Sequence, residues 1–227
     1  MSKGRPREFD ADQALDHALR VFWRKGYEGA TLPDLTKAMG INRPSLYAAF
    51  GSKEELFRRA LDRYAQGPAA FMHEGLVEPT ARAVAERLLT GAVDVVTGRQ
   101  NPRGCLIVQG ALACGEAAES VRRELVSRRR ANEAAIRARF ERAISEGDLP
   151  IDSHPADLAR YLVAVIQGIA VQAAGGASRP QLLRVAAMAL RSWPERNSAT
   201  RTAGRRESRA AFLRLTLKRR HGEASDK

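Results

Sequence analysis

Apolar residues recur along this chain every three or four positions, the spacing that gathers them on one face of an α-helix. The first such stretch follows Asp10, whose side chain is suited to cap a helix, and it ends at Gly26. Its inward face is predicted to consist of Ala14, Leu15, Ala18, Val21 and Phe22. Alternating strand patterns and hairpin dipeptides such as Asn-Gly do not occur, so the sequence predicts an all-α protein.

Three more helices are predicted directly after the first. Thr31 is expected to begin the second helix, and Gly40 allows a tight turn before the third, which Asn42 caps. Ser52 opens the capping box of the fourth helix, expected over residues 52–66. Two short helices around a glycine turn are what a helix-turn-helix requires, because the first helix braces the second against the major groove of DNA.

The third helix has a predicted inner and outer face. At 100° per residue, Leu46 and Phe50 point together toward the core. The outer face is small enough for the backbone to approach bases, and it consists of Pro44, Ser45 and Ala48, with Tyr47 and Ala49 at its flanks.

The side chains of this face suit particular parts of a DNA duplex. Arg43 lies in the first turn, where its guanidinium can donate two hydrogen bonds to guanine O6 and N7. Pro44 and Ala48 are expected to pack on thymine methyl groups. Ser45 is expected to bond a base or a phosphate, and Tyr47 a phosphate oxygen.

Three further residues complete the predicted DNA-binding set. Lys53 and Thr31 lie at helix N-termini, where the helix dipole and free N–H groups favour a phosphate. Asn42, at the start of the third helix, belongs to the same set. The alternative for Lys53, as for Arg43, is a solvated surface position, and for Tyr47 it is the edge of the core.

A longer pattern runs from Ala14 to about Tyr64. It is carried by ALRVFWRKGY at 18–27, TLPDLTKAMG at 31–40 and INRPSLYAAFGSKEEL at 41–56. In these segments the chain resembles the TetR/AcrR family of bacterial transcriptional regulators. The resemblance implies a DNA-binding domain of three helices, joined by a fourth to an all-helical C-terminal domain that binds effectors and dimerises. It also implies DNA contacts at Arg43, Pro44, Ser45, Tyr47 and Lys53.

The sequence departs from the family pattern at three positions. Ala48 and Ala49 stand where relatives often carry large aromatic residues or His, and Pro33 stands where many carry a polar or basic residue. Fewer base contacts are therefore expected, and the operator sequence does not follow from the resemblance.

The remainder of the chain is predicted to be helical up to Trp193. Helices are expected near residues 80–97, 104–117, 120–146, 155–174 and 179–193. We therefore divide the chain into a helix-turn-helix domain (1–50), the linking helix (52–66), an effector-binding and dimerisation domain (67–194) and a flexible basic tail (195–227).

The helix predicted at 155–174 is apolar on all sides, so it must be covered on all sides. One side can pack within its own domain, and the other requires a partner subunit or a ligand. Together with the last helix, it would form a four-helix bundle across a two-fold axis. We expect such a homodimer to place two recognition helices about 34–36 Å apart, which matches a palindromic operator.

The family habit suggests a repressor that a small-molecule effector releases from its operator. Polar groups amid apolar helices orient ligands, so we expect effector contacts at Gln109, Tyr161 and Gln167, although ordinary buried hydrogen bonding is an alternative. Cys105 is a fourth candidate for the effector site. A helix start and the nearby Arg103 would favour its thiolate, which could respond to oxidants or electrophiles. The alternative for Cys105 is a small buried apolar residue.

Charge and composition limit the other function classes. The net charge of +12 and the pI near 10.6 favour a polyanionic partner. The basic tail is expected either to add phosphate contacts that do not depend on sequence or to stay solvated. A DNA-coating protein without an effector remains an alternative on charge alone. Motifs of metal sites, phosphate loops and hydrolases do not occur, so we expect no enzyme, metal or cofactor.

The expected location is the reducing cytoplasm. Cys105 and Cys114 would lie on opposite sides of one helix and could not bridge each other. The first ten residues are charged and lack the apolar core of a secretory signal. The longest apolar run, residues 162–170, is broken by Gln167 and is too short to span a bilayer.

Overall fold

The computed structural model describes residues 9–110 and 118–194. Within these ranges the secondary structure is helical, with ten α-helices and a short 3-10 turn at Gly75–Val77, and no strand occurs. The prediction of an all-α protein is therefore confirmed. The helices are α1 (Ala11–Gly29), α2 (Leu32–Met39), α3 (Arg43–Phe50), α4 (Lys53–Gln66), α5 (Phe71–Glu74), α6 (Ala81–Thr97), α7 (Leu106–Gln109), α8 (Glu119–Ser145), α9 (Pro155–Ala174) and α10 (Arg179–Arg191).

Side-chain caps begin the helices of the N-terminal third, as the sequence predicts. The carboxylate of Asp10 accepts hydrogen bonds from the first turn of α1, and Asn42 accepts one from the first turn of α3. Thr31 and Ser52 each form a complete capping box. Helical geometry in α1 is interrupted at Gly26, which has a φ of 69°, and a further turn continues to Gly29.

Two hydrophobic clusters form the core. The first lies among α1–α4 and also takes in α7 and the start of α8, and the second lies among α6, the end of α8, α9 and α10. Phe71 and Cys105 pack against both clusters. The N-terminal helices are therefore joined to the rest of the molecule by packed side chains as well as by the helix α4.

Trp23 is buried at this junction. Its indole nitrogen donates a 2.9 Å hydrogen bond to the carbonyl oxygen of Gly104. Trp23 therefore packs α1 against the segment that precedes α7.

The helices of the second half agree with the predicted ones except near α7. The described part of that segment is helical only over Leu106–Gln109, where 104–117 had been expected. The rest of the expected helix, with Cys114, lies outside the described residues, as does the basic tail at 195–227. Of the helices that the structure describes, none combines the length and apolar character that crossing a membrane demands.

Candidate functional site

The predicted recognition helix α3 has the predicted orientation. Leu46 and Phe50 are buried in the first hydrophobic cluster. Four side chains of the helix are exposed: Arg43, Pro44, Tyr47 and Ala48. Ser45 on the predicted outer face and Ala49 at its flank are half-buried. The exposed phenol of Tyr47 and the exposed guanidinium of Arg43 make this face suited to a polyanion.

Asn42 acts within the protein at the start of this helix. Its side-chain oxygen accepts a 2.8 Å hydrogen bond from the backbone nitrogen of Ser45. This bond fixes the first turn of α3, and with it the backbone that carries Arg43. A DNA contact by Asn42 stays a prediction.

Thr31 is paired with a carboxylate. Its hydroxyl donates a 2.7 Å hydrogen bond to Asp34 and accepts one from the Asp34 backbone nitrogen at 3.2 Å. Lys25 lies 2.8 Å from the same carboxylate, and hydrogen bonds from Lys25 and Thr31 lower the Asp34 pKa from 3.8 to about 2. The negative charge of Asp34 opposes a phosphate at Thr31, so the predicted phosphate contact there has an unfavourable neighbour.

Lys53, at the first position of α4, is held by an aromatic ring. Its ammonium lies 4.5 Å from the centroid of Tyr27, within the range of a cation–π interaction. Partial burial lowers the pKa of Lys53, while the nearby Glu28 opposes that shift. Tyr27 is a positioning residue that the sequence analysis missed, although it follows the glycine that interrupts α1.

Arg59 is a second residue that the sequence analysis missed. Its guanidinium donates a 3.1 Å hydrogen bond to the backbone carbonyl of Ala49 and lies 5.6 Å from the ring centroid of Phe50. Arg59 therefore caps the end of α3 from α4 and holds the recognition helix against the linking helix. The sequence does contain a signal for this contact. Because α4 follows α3 after a short turn, an arginine in the second turn of α4 can reach back to the end of α3.

A cavity of about 260 Å³ lies between the linking helix and the C-terminal helices. Its walls are contributed by α4, α5, α7, α8 and α9, and they are largely apolar. Cys105 and Gln167 both line it, as two of the four predicted effector residues.

The other two predicted effector residues lie elsewhere. Tyr161 lines a separate open depression near Asp157, and its hydroxyl is 3.2 Å from the hydroxyl of Ser192. Gln109 packs its side-chain amide against Gly104, where a Cβ atom would come within 2.4 Å of the amide nitrogen. Gly104 has a φ of 94°, a backbone conformation that favours glycine at this position.

A chain of contacts links the cavity to α1. The hydroxyl of Tyr64 donates to the sulfur of Cys105 at 3.4 Å, and burial together with the Cys105 thiol raises the Tyr64 pKa well above its ordinary value. The Tyr64 ring meets the indole of Trp23 edge-on at 4.8 Å, and Trp23 bonds Gly104. Arg103, expected beside the thiol, instead donates to the carbonyl of Ala177 at 3.2 Å.

Large apolar side chains are exposed on the last two helices. Met188 is 61% exposed, and Val171 and Val185 are also exposed. Isolated exposed apolar residues are ordinary, but several on two adjacent helices indicate a surface that another molecule covers.

Comparison with protein families gives two matches. The family described as bacterial regulatory proteins, tetR family, matches residues 14–60, and the family described as tetracyclin repressor-like, C-terminal domain, matches residues 84–196. The HTH-type transcriptional repressor ComR of Escherichia coli (strain K12) is 34% identical over 197 residues, covering 86% of this chain and 93% of ComR. The HTH-type transcriptional repressor BdcR of the same strain is 36% identical over 109 residues, 47% of this chain and 55% of BdcR.

Solved structures show the same similarity. A cysteine mutant of the TetR family transcriptional regulator CifR, complexed with 26 bp double-strand operator DNA, is 44% identical with a TM-score of 0.80. The match covers 84% of this chain and 100% of the CifR chain. A TetR transcriptional regulator from Rhodococcus sp. RHA1 is 43% identical with a TM-score of 0.58, covering 82% of this chain and 100% of that one.

Proposed function

Because this chain belongs to the TetR family of bacterial transcriptional regulators, a family without enzymatic activity, we propose that it is an operator-binding repressor released by a small molecule. The observation that carries the proposal is the exposed face of α3, which rests on the buried Leu46 and Phe50 within a helix-turn-helix. The bound state of CifR with operator DNA and the repressor role in the name of ComR support it.

The proposed DNA contacts follow from position and chemistry. Arg43 reads a guanine in the major groove, and Pro44 and Ala48 pack against thymine methyl groups. Ser45 bonds a base or phosphate, and Tyr47 bonds a phosphate. These contacts are made from one short helix, so small errors in its placement would disturb all of them together.

Three phosphate contacts accompany that helix in the proposal. Lys53, whose ammonium is held over Tyr27, lies at the start of α4, and its position supports a backbone contact. Asn42 and Thr31 contact further phosphates near α3. At Thr31 the negative charge of Asp34 opposes this contact.

The proposed functional unit is a homodimer formed through α9 and α10. The exposed apolar side chains Val171, Val185 and Met188 support this surface, because burial in a partner removes them from water. A two-fold axis makes the operator palindromic, with half-sites one DNA turn apart.

Release begins in the 260 Å³ cavity. A small molecule there meets Cys105, Ile107 and Gln167 on one side and the wall of α4 at Tyr64 on another. Any displacement of Tyr64 is passed to Trp23 through their ring contact. The ligand therefore favours a conformation in which the recognition helices no longer match the operator spacing.

Binding-site selection with the full chain, followed by footprinting, tests the proposal. We expect protection of one or a few short palindromes, and weaker binding when an effector fills the cavity. Protection that spreads along DNA without preference would instead support the coating protein that the net charge alone permits.

A second candidate function is a response to electrophiles or oxidants at Cys105. It is favoured by the half-buried thiol that lines the cavity and accepts a hydrogen bond from Tyr64. In this candidate the sulfur adds to an electrophilic carbon and releases its proton, which breaks the Tyr64 contact. N-ethylmaleimide should then release operator from the wild type and from Cys114→Ser, but not from Cys105→Ser. Full labelling of Cys105 without loss of operator binding excludes it.

A further inference from the structure

We propose that the cavity takes a small apolar carboxylic acid whose carboxylate pairs with Arg129. This inference rests on the proposed function in one respect, that the cavity is the effector site. It adds the chemical class of the ligand, which follows from charge, size and unpaired polar groups.

The lining of the cavity contains basic side chains. It contains Arg128, Arg129 and His73, and no Asp or Glu is among the described residues that line it. Arg128 is already neutralised, because its guanidinium lies 2.6 Å from Asp62 and 2.7 Å from Glu124.

Arg129 differs from its neighbour. One of its terminal nitrogens donates a 3.2 Å hydrogen bond to the carbonyl of Ile107, and no ion pair joins it to a carboxylate within the described ranges. The side chain is half-buried, so water compensates its charge only in part. A guanidinium with unused donors is the group best matched to a planar carboxylate, which it can bind through two parallel hydrogen bonds.

Two amides also line the cavity. Asn132 and Gln167 line it, and neither side chain makes a hydrogen bond to another described residue. A carboxylate can accept more hydrogen bonds than the guanidinium donates, and the NH2 group of an amide can donate one of them. Among the described residues, the cavity thus combines neutral donors with one cation that pairs with no carboxylate, a set that suits a monoanion better than a phosphate dianion.

The rest of the wall is apolar and limits the size of the ligand. Phe71, Met72, Ile107, Val163 and Ile166 supply most of it. Its 260 Å³ exceeds the cavity of about 150 Å³ that holds benzene in another protein, and lies below the usual range of about 300–1,000 Å³ for drug-sized ligands. A phenyl ring or a medium-length alkyl chain with one carboxylate fits between these limits.

Matched acids and amides test the inference on the unaltered full chain. We expect 3-phenylpropanoate and octanoate to bind at least about tenfold more tightly than 3-phenylpropanamide and octanamide, measured by calorimetry. Equal affinity of acid and amide, or no binding of either acid, would overturn the proposal without relying on any variant.

Two arginine variants locate the charge. Arg129→Gln should remove the preference for acids, and Arg129→Lys should restore part of it. Arg130→Gln removes the same charge from an exposed neighbouring position and should leave the preference intact. Loss of the preference in Arg130→Gln as well would show a general charge effect and would overturn the assignment to Arg129.

Operator binding by the unliganded chain separates this inference from the proposed function. Retained operator binding with no acid preference refutes the ligand class alone. Failure to bind any selected operator refutes the proposed function, whereas acid binding would still support the assignment of the cavity. Acid binding that leaves operator affinity unchanged supports the ligand class and refutes its role in release.

Discussion

The indole nitrogen of Trp23 in α1 donates a buried 2.9 Å hydrogen bond to the carbonyl oxygen of Gly104, 81 positions further along the chain. Gly104 directly precedes Cys105, whose sulfur accepts a hydrogen bond from Tyr64 in the linking helix. The same short segment therefore contacts both α1 and α4. Since α1 packs on α2 and α4, a change at the cavity wall has a direct route to the helix-turn-helix.

Trp23→Phe should destabilise the protein by about 1–3 kcal/mol, because it leaves the buried Gly104 carbonyl without its donor. Urea unfolding measures the change. The matched control is Trp193→Phe, since the buried indole nitrogen of Trp193 has no hydrogen-bond partner among the described residues. A cost for Trp193→Phe as large as that for Trp23→Phe would show that ring size, and not the hydrogen bond, accounts for the loss.

Arg43→Ala should weaken binding to a selected operator by about 1–3 kcal/mol and relax the preference at one base pair, because a bidentate contact to guanine is lost. Fluorescence anisotropy on the operator and on single-base variants measures both effects. Arg123→Ala, at an exposed position on α8, should leave affinity and preference unchanged. A uniform loss across all base variants would place Arg43 on a phosphate instead.

The helix-turn-helix was predictable because its determinants are local. Caps at Thr31, Asn42 and Ser52 act within four residues, and the period of 3.6 residues fixes which side of α3 faces inward. Lys53 was predicted as a phosphate contact from its position at a helix start, and that contact stays a prediction. Its aromatic partner Tyr27 was not predicted, because the pairing depends on how α1 packs against α4.

The cavity was less predictable because its walls come from five helices. One part of the outcome does follow from helical geometry. Tyr161 and Gln167 are six positions apart and lie about 120° apart around α9, so a shared pocket is not expected for them. Val163 and Gln167, four positions apart, do line the cavity together. The charges on Arg128 and Arg129 are indistinguishable in the sequence, since only packing pairs the first with Asp62.

Lys53→Gln should weaken binding to all DNA sequences alike and reduce the slope of log affinity against log salt by about 1, as expected for the loss of one phosphate contact. Anisotropy titrations over a range of salt concentrations measure the slope. Arg123→Gln removes an equal charge from an exposed position on α8, outside the helix-turn-helix, and should preserve the slope. An unchanged slope in Lys53→Gln would mean that its ammonium serves only to cover the Tyr27 ring.

Asp34→Asn should destabilise the protein more at neutral pH than in acid. The pKa of Asp34 is lowered to about 2, so its carboxylate stabilises the folded state above its unfolded pKa, and this contribution disappears as the pH falls from about 4 through about 2. Urea unfolding of both proteins at several pH values should show a constant difference above about pH 5 that shrinks below it. Lys25→Gln should reduce the same difference, because Lys25 lies 2.8 Å from the carboxylate. A difference independent of pH would show that the cap, and not the charge of Asp34, stabilises α2.

Arg139 is buried in α8 and donates hydrogen bonds to the backbone carbonyls of Leu76 at 3.1 Å, Glu78 at 2.8 Å and Pro79 at 3.2 Å. It thereby fixes the turn that joins the linking region to α6. Two effects of Arg139→Met compete: removing a buried cation is favourable, while leaving several carbonyls without donors costs about 1–3 kcal/mol for each that water cannot reach.

We expect the unpaired carbonyls to dominate, because three acceptors lose one donor group at once. Arg139→Met should therefore lower the free energy of unfolding in urea by at least about 2 kcal/mol. Arg137→Met, two positions away at an exposed site paired with Glu141, should change it by less than about 1 kcal/mol. A variant at Arg139 as stable as the wild type would mean that burial of the guanidinium, one of whose nitrogens lacks a partner among the described residues, costs as much as its three hydrogen bonds contribute.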